Sequence, residues 1–524
     1  MKYSLGLDFG TESARAVLLD VQNGREAASA EFSYPHGVIV PRKDWALQDP
    51  QDWLDALRHL SRAILKKSKA NPSQIIGIGI DFTSCTVLPT TEDGTPLCKI
   101  PKFKKDPHAW PKLWKHHGAW KEAEEMTAKA EKMGERFIRR YGGKISSEWL
   151  IPKLLEVLRG SNQAGKTMDK FIEAQDWTVW RLTGQMRRSA CGAGYKGSWS
   201  KREGFPSAEY LDALHPGLSR ILEEKVGRDF YAPGTRAGTL TKSQARTTGL
   251  AEGTPVAVSI IDAHASVLGA GVSRPGEMVL CMGTSTCHLL LDGRGREVPG
   301  ISGVAEGGIL PGLFGYEAGQ AAVGDMFGWF TKTSQMKFAD LEKGAAKLKA
   351  GQNGLLALDW WNGNRSVLQD AGLSGMILGL TLHTTPHEIY RALIEATAMG
   401  TRRIIEQFES SGIPVKKMTA VGGIAEKSPF LLQIYADVCR RPVELVEAAN
   451  LCARGAAVLG VLARDPAAVR RMAPVKRKVF NPKREDAEIY GKIYREYLRV
   501  HDYFGRGENP VMRKLRHSGG PGSS

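Results

Sequence analysis

A hairpin pattern near the start of the chain returns in its second half. Residues 5–20 (LGLDFGTESARAVLLD) and 278–292 (MVLCMGTSTCHLLLD) each contain an apolar strand, a Gly-Thr turn and a second apolar strand. Glycine permits a tight turn that other residues resist, and the N–H groups and hydroxyls of the turn can then face a phosphate oxygen. One such hairpin is most simply an ordinary turn. The repetition, with Asp8 beside the first turn, predicts two similar domains that bind one polyphosphate.

The bulk composition is that of a soluble globular protein, with 42% hydrophobic and 24% charged residues in a chain of 524. No apolar run approaches the roughly 20 residues that span a bilayer. The N-terminus reaches Asp8 too soon to hold a signal-peptide core, so we expect no membrane association and a cytoplasmic location. The seven cysteines form no CxxC pair. This spacing favours reduced thiols over a disulfide framework or a zinc site.

The net charge of +16 raises the question of a nucleic-acid partner. The excess of Lys and Arg lies largely in residues 99–153 and in the C-terminal region 476–516, and both contain interspersed acidic residues. Neither region carries a recognisable DNA- or RNA-binding motif. A solvated basic surface that attracts anionic substrates is therefore predicted, with no nucleic-acid partner.

The order of strand and helix patterns predicts the domain organisation. A first strand over Tyr3–Phe9 is followed by a helix that Asp49 caps with Pro50 at its first position, and by a buried strand over Ile75–Phe82. A break is expected at 249–254. The expected parts are an N-terminal domain (1–254) with an insertion at about 99–200, a C-terminal domain (255–505), and a basic, Gly/Ser-rich, disordered tail (506–524).

The second domain contains a further glycine turn. A strand over 418–421 runs into Gly422 and Gly423, and a helix follows over 428–439. Free N–H groups at such a turn could receive a nucleotide, or the glycines could belong to a plain β–α connection. A long helix over 386–408 and an amphipathic helix over 486–504 complete this domain, and Gly455 with its neighbouring alanines predicts close helix packing.

These features together resemble a known family. The two hairpins, the Gly422-Gly423 turn, and GMILGL (375–380) followed by 388–395 are similar to the FGGY carbohydrate kinases. The resemblance implies an α/β fold of two actin-like (ribonuclease-H-like) ATPase domains with a catalytic cleft between them. Further segments resemble the members that act on L-ribulose: 44–50 (DWALQDP), 81–89 (DFTSCTVLP), 112–117 (KLWKHH), 193–196 (AGYK), 262–265 (DAHA), 315–320 (GYEAGQ) and 358–365 (LDWWNGNR).

The resemblance assigns two acidic residues to the chemistry. Asp262 follows the apolar run 256–261, and from its position alone it is equally well the cap of the next helix. The family pattern makes it the general base that deprotonates a sugar hydroxyl. Asp8 matches the family's metal-side aspartate, which acts on Mg²⁺ through water, in keeping with the reluctance of Mg²⁺ to lose its water ligands.

The same comparison implies two groups of binding residues. Those expected to bind ATP are Gly10, Thr11, Ser13, Arg15, Gly283, Thr284, Gly324, Gly422, Gly423 and Lys427. Those expected around the sugar are Ser84, Trp114, Lys196, Asp262 and Glu317, with the insertion as a substrate lid. Ser84 stands where many of these kinases have Ala. The histidines at 108, 116 and 117 have no accompanying thiolate or carboxylate pattern, and a structural role is favoured over a metal site.

The predicted activity is ATP- and Mg²⁺-dependent phosphorylation of L-ribulose to L-ribulose 5-phosphate, as in L-arabinose use. The partner is then a small ketopentose, and assembly into a homo-oligomer is left open. Three alternatives remain at this stage: another kinase of the family, acting on xylulose, D-ribulose or a polyol; an actin-like or chaperone-type ATPase; and a nucleic-acid binder that uses the basic tail. The insertion with Trp114 and Lys196, and the segment 262–265, argue against the second alternative.

Overall fold

The computed structural model describes residues 1–474 and 476–518, and its first half is built on one mixed sheet. The strands here are β1 (Tyr3–Phe9), β2 (Ser13–Asp20), β3 (Glu26–Ser33), β4 (Ile75–Phe82), β5 (Val87–Thr90), β6 (Lys170–Glu173), β7 (Arg188–Ser189), β8 (Phe230–Tyr231), β9 (Arg236–Thr239), β10 (Pro255–Ala257) and β11 (Ile260–Ile261). The helices are α1 (Pro50–Ser68), α2 (Trp120–Met133), α3 (Leu150–Gly160), α4 (Asn162–Thr167), α5 (Ala174–Thr183), α6 (Ala190–Lys196), α7 (Ala208–Leu214), α8 (Leu218–Ile221), α9 (Lys242–Thr248) and α10 (Asp262–Gly269).

The second half is built on another mixed sheet. Its strands are β12 (Glu277–Met282), β13 (Thr286–Asp292), β14 (Gly303–Glu306), β15 (Phe314–Gln320), β16 (Leu356–Leu358), β17 (Met376–Leu378), β18 (Lys417–Val421), β19 (Val443–Val446) and β20 (Arg477–Phe480). Its helices are α11 (Gly324–Ser334), α12 (Phe338–Ala345), α13 (Pro386–Ser410), α14 (Gly423–Lys427), α15 (Pro429–Cys439), α16 (Leu451–Leu462), α17 (Ala468–Arg471), α18 (Arg484–Gly505) and α19 (Val511–Ser518). Among the described residues, no helix is long and apolar enough to cross a bilayer.

The two sheets repeat one arrangement of strands. In the first sheet the order is β3-β2-β1-β4-β10-β9, with β11 also paired to β4; in the second it is β14-β15-β13-β12-β18-β19-β20. The hairpin β1–β2 is antiparallel and its first strand pairs in parallel with β4, just as the hairpin β12–β13 pairs in parallel with β18. The prediction of two similar α/β domains is confirmed.

Helix α1 begins as the sequence predicts. The Asp49 side chain accepts a hydrogen bond from the N–H of Gln51 at 2.8 Å, and Pro50 occupies the first helical position. The helix buries Trp53, Leu57, Leu60 and Ile64 against the first sheet. This spacing of three or four residues fixes which side of the helix faces the sheet.

The connection between the two halves lies later than the break expected at 249–254. Both β10 and β11 belong to the first sheet, since β10 pairs with β9 and β4, and Ile261 of β11 pairs with Phe82 of β4. A domain boundary at 254/255 would therefore divide one sheet. The sequence pattern missed this because short apolar strands carry no signal of their partners. We propose a boundary in the connection after α10.

The insertion on the first domain also extends beyond the predicted 99–200. It has a hydrophobic core of its own, which includes Phe103, Leu154 and Tyr210 and continues to Leu222 and Val226. The intervening helix α5 is different, because its side chains pack into the core of the first sheet. The insertion thus has a hydrophobic core separate from the core of the first sheet, on which it is packed.

The tail prediction is partly wrong. Residues Val511–Ser518 form helix α19, although 506–524 was expected to be disordered. Met512 is buried in the second core, and the Arg513 guanidinium lies 2.6 Å from an Asp370 carboxylate oxygen. One buried apolar residue and one ion pair are enough to hold this short helix. So few contacts leave no recognisable pattern in a basic sequence. Residues 519–524 lie outside the described part of the chain.

Helix α16, from the second half of the chain, lies directly on the first sheet. A Cβ atom placed on Gly6 of β1 would be 1.9 Å from the Ala453 carbonyl oxygen, and one on Gly79 of β4 would be 1.8 Å from that of Ala456. Glycine is required here by the close approach of the helix backbone. The close packing predicted around Gly455 is confirmed, since a Cβ there would be 1.9 Å from the Ala265 oxygen of α10.

We expect Gly79→Ala to lower the free energy of unfolding by about 1–3 kcal/mol or more, because the added methyl group forces α16 away from the sheet. Gly328→Ala is the matched control. Its Cβ meets no atom within 4 Å, and alanine favours a helix interior, so it should be neutral or stabilising. Urea unfolding of both variants tests this, and equal midpoints would contradict the close-packing argument.

Candidate active site

Three carboxylates meet at one edge of the first sheet. Asp8 of β1 and Asp81 of β4 are paired in register, and Asp262 follows β11, which pairs with β4 beginning at Asp81. Burial raises the pKa of Asp8 and, with the Asp8 charge nearby, raises that of Asp81 well above its usual range. The sequence analysis selected Asp8 and Asp262 but not Asp81. Its position at the end of a buried strand was the available signal.

The helix-cap role foreseen for Asp262 is wrong, because Ile261 occupies the N-cap position and Asp262 is the first residue of α10. One of its carboxylate oxygens accepts a hydrogen bond from the N–H of Ala263 at 2.7 Å. Burial, followed by the charge of Asp8, raises the pKa of Asp262 to about 7. A carboxylate with a pKa near neutrality can both accept and release a proton at physiological pH.

The side chains of the first hairpin are ordered by Glu31, a residue of β3 that the sequence analysis did not select. The Ser13 hydroxyl and the Arg15 guanidinium each lie 3.0 Å from the same Glu31 oxygen. Arg15 also lies 3.9 Å from an Asp8 oxygen. Cross-strand pairing between β2 and β3 creates this arrangement, in which Arg15 is directly opposite Glu31.

The role expected of the hairpin glycines needs correction. Neither Gly10 nor Gly283 is among the glycines with positive φ. A Cβ on Gly10 would lie 3.0 Å from the Ser13 oxygen, whereas one on Gly283 would meet only the Ser285 oxygen at 3.8 Å. The protein backbone therefore leaves open space in front of Gly283. The glycine in the left-handed region is instead Gly422, with φ of +99° and a Cβ position 2.6 Å from the Met282 oxygen.

A cavity of about 380 Å³ joins the second hairpin to the second glycine turn. Gly283, Thr284, Gly422 and Gly423 all line it. Gly324, at the start of α11, donates its N–H to the Gly283 carbonyl at 3.1 Å. This hydrogen bond connects α11 to the hairpin. Lys427 is exposed at the other end of α14, while Glu426 of that helix lines the cavity.

A buried ionic cluster centres on Glu317 of β15. The Lys196 ammonium lies 2.9 and 3.0 Å from the two Glu317 oxygens, and Arg365 lies 3.7 Å from one of them. Burial opposes ionisation of Glu317, but Lys196, with His264 and Arg365, holds its pKa at about 2. Lys196 lies at the end of α6, so this pair joins the two halves of the chain. The sequence analysis did not select Arg365.

A second cavity, of about 480 Å³, lies between the insertion and the second domain. Trp114, Lys196, Thr284, Asp325 and Arg365 are among the residues that line it. The Trp114 indole N–H donates to the Thr11 hydroxyl at 3.0 Å, so the insertion contacts the first hairpin directly. This cavity brings together Trp114 and Lys196, which were predicted to bind the sugar, and Thr284, which was predicted to bind ATP.

Two further residues discussed in the sequence analysis do not line this cavity. Ser84 is half-buried in the turn between β4 and β5, where the following residue, Cys85, has a φ of +45°. His116 is buried against Glu156, with 2.9 Å between the imidazole Nε2 and a carboxylate oxygen. Within residues 1–474 and 476–518, no group of three His, Cys, Asp or Glu side chains has the geometry of a metal site.

Comparisons with known proteins agree across the whole chain. Residues 3–269 match the N-terminal domain, and residues 278–464 the C-terminal domain, of the FGGY family of carbohydrate kinases. A ribulokinase of Anoxybacillus flavithermus is 48% identical over 98% of this chain and 97% of its own length; one of Mycolicibacterium smegmatis is 43% identical over 98% and 96%. The crystal structure of a xylulose kinase from Rhodospirillum rubrum superposes with a TM-score of 0.83, at 23% identity, over 98% of this chain and all of that one.

Glu317→Gln should lower the free energy of unfolding at neutral pH by about 3–5 kcal/mol, because it leaves the buried Lys196 ammonium without its counter-charge. The double variant Lys196→Met/Glu317→Gln should recover much of this loss. Glu488→Gln, which breaks an exposed pair with Arg484, is the control and should change little. Urea unfolding of the wild type, both single variants Lys196→Met and Glu317→Gln, and the double variant measures the coupling, and additive losses would contradict it.

Proposed function

Because the chain belongs to the FGGY family of carbohydrate kinases, we propose that it transfers the γ-phosphate of ATP to L-ribulose, giving L-ribulose 5-phosphate. The substrate assignment follows the curated relatives, which are named ribulokinase and align over nearly their full length. In an organism that uses L-arabinose, this reaction would commit the derived ketopentose to further metabolism.

The buried cluster around Glu317 is the observation in the structure that best supports a polyhydroxylated substrate. Lys196 can donate to a carbonyl or hydroxyl oxygen, and Glu317 can accept from a hydroxyl. Trp114 adds a flat apolar face to the same cavity. Ser84 and Asp262 complete the proposed sugar site. A cavity with these groups suits a ketopentose better than a polypeptide, as a chaperone-type ATPase would require.

In the proposed mechanism, Asp262 accepts the proton of the primary hydroxyl while the hydroxyl oxygen attacks the γ-phosphorus. Its contact with the Ala263 N–H orients the carboxylate, and its pKa of about 7 makes it a competent base near neutrality. The new O–P bond forms as the bond from the γ-phosphorus to the bridging oxygen breaks, and ADP leaves with the electron pair. Lys196 and Glu317 hold the sugar in line for this attack.

The phosphates would be held by the two hairpins. We assign Thr11, Ser13 and Arg15, with Gly10, to the β- and γ-phosphates from the first domain. From the second domain we assign Gly283, Thr284, Gly324, Gly422 and Gly423. Gly283 fits this role because the space before it is open to a ligand. Lys427, exposed at the end of α14, is assigned to the α-phosphate only on the family pattern.

The acidic edge of the first sheet fits a hydrated divalent cation. Asp8 and Asp81 lie side by side with both Asp81 carboxylate oxygens buried, and burial together with the Asp8 charge raises the pKa of Asp81, so a cation beside Asp8 would favour the ionised form of both carboxylates. Carboxylate oxygens are ligands that Mg²⁺ prefers, and Mg²⁺ commonly retains several waters. When bound there, Mg²⁺ would neutralise charge on the phosphates. Asp8 would hold it through water.

Asp262→Asn should lower kcat by about 10²–10⁴, because the amide cannot accept the hydroxyl proton. ATP binding, measured by calorimetry, should change little. In the wild type, kcat/KM should fall as the pH drops below about 7, where Asp262 becomes protonated. Wild-type turnover in the variant at saturating sugar would exclude Asp262 as the base.

The substrate assignment is tested by coupled ADP release with L-ribulose, D-xylulose, D-ribulose and glycerol. L-Ribulose should give the highest kcat/KM and glycerol a value lower by several orders of magnitude, because a site that hydrogen-bonds the hydroxyls of a ketopentose rejects an analogue that lacks them. Lys196→Ala should raise the KM for L-ribulose sharply while ATP affinity stays nearly constant. A wild-type preference for another sugar or a polyol would assign the chain to a different kinase of the family.

A further inference from the structure

A buried lysine outside the proposed sugar contacts connects two of the segments that carry them. The Lys153 side chain, on α3 of the insertion, is fully buried. Its ammonium donates to the Cys85 carbonyl and to the Leu113 carbonyl, each at 2.9 Å. Cys85 directly follows Ser84, and Leu113 directly precedes Trp114. One ammonium therefore fixes the main chain beside two proposed sugar-binding residues.

The surroundings of Lys153 show that this contact is not an ordinary ion pair. Glu156 lies one turn further along the same helix, but its carboxylate contacts Lys112 at 3.0 Å and His116 at 2.9 Å. Glu148 and Glu173 are also acidic neighbours, yet both hydrogen bonds from the ammonium go to main-chain carbonyls. Burying an ammonium costs free energy, and an apolar side chain of similar volume would avoid that cost.

The two anchored segments need an external support. Cys85 lies in the left-handed region, with φ of +45°, in the turn that carries Ser84. The segment that carries Trp114 reaches across to Thr11 of the first hairpin through the indole N–H. Both segments are therefore held in conformations that their local sequence does not impose.

We propose that Lys153 is a positioning residue for the sugar site: it sets the distance between Ser84 and Trp114 through their neighbouring carbonyls. This inference rests on the proposed function, because it takes Ser84 and Trp114 as sugar contacts. Lys153 itself is placed too deep to touch the substrate. It acts by preorganising the site, so that the sugar does not have to order the two segments when it binds.

The decisive variant is Lys153→Met, which keeps the volume and removes all three N–H donors. The KM for L-ribulose should rise about tenfold or more, while the KM for ATP and nucleotide binding by calorimetry stay within about twofold. The melting temperature should stay near or above the wild-type value. An unchanged sugar KM, or equal losses for both substrates, would overturn the proposal.

Arg188→Met is the matched control. Arg188 is also buried and also donates to two main-chain carbonyls, those of Phe171 and Lys225 at 3.0 and 2.9 Å, but neither carbonyl adjoins a proposed sugar contact. Its loss should leave the KM for L-ribulose unchanged whatever it does to the melting temperature. A rise as large as in Lys153→Met would mean that any damage to the insertion weakens sugar binding, and would overturn the specific role.

A second variant keeps the test decisive if Lys153→Met does not fold. Lys153→Gln retains amide donors on a shorter side chain, so the sugar KM should rise above the wild-type value while the KM for ATP stays within about twofold; a wild-type sugar KM would contradict the proposal. The two hypotheses fail in different ways. If wild-type protein does not phosphorylate L-ribulose, the proposed function is wrong. If wild-type protein does so and the Lys153 variants match its KM, only the positioning role is wrong.

Discussion

The close contact between α16 and the first sheet positions all three carboxylates. Gly6 of β1 and Gly79 of β4 admit the helix backbone, and Asp8 and Asp81 lie two residues further along the same strands. On its other side α16 crosses α10, where a Cβ on Gly269 would lie 2.0 Å from the Leu451 oxygen, and α10 begins at Asp262. Helix α16, from the second half of the chain, thus contacts every element that carries one of the three carboxylates and fixes their relative positions. Because small residues make these contacts, no flexible side chain lies between the backbones, and the relative positions of the helices and strands are closely fixed.

Two sets of buried acidic groups change the free energy of unfolding in opposite directions as the pH rises. Glu317, with a pKa held at about 2, contributes stability above the unfolded value near 4.5, and this contribution is lost as the pH falls towards 2. Asp8, Asp81 and Asp262 have raised pKa values, so folding favours their protonated forms and their ionisation opposes folding as the pH rises. The acidic edge is therefore destabilising near neutrality, which is where a bound cation would relieve it.

Local signals predicted the elements well and the long-range contacts poorly. The Asp49-Pro50 start of α1, the two hairpins and the strand 75–82 all follow from patterns a few residues long. By contrast, Asp81, Glu31 and Arg365 reach the site through pairing between distant strands or a loop that closes on β15, which no short pattern encodes. The same limit explains why β10 and β11 were assigned to the wrong sheet. The turn glycines were misread because their purpose is space for a ligand or a neighbouring backbone, and a positive φ occurs only at Gly422 among those proposed for phosphate binding.

The hydrogen bond from Trp114 to Thr11 gives one hydroxyl a place in both proposed subsites. The Thr11 oxygen accepts the indole N–H, and its own proton remains able to reach a phosphate oxygen. A phosphate that draws this proton polarises the hydroxyl and strengthens the bond from Trp114, and a sugar packed against Trp114 holds the hydroxyl in place for the phosphate. Such an effect is necessarily mutual: the factor by which nucleotide tightens sugar binding equals the factor by which sugar tightens nucleotide binding. If the proposed subsites bind sugar and phosphate, this one oxygen would couple their occupancy without movement of the sheets.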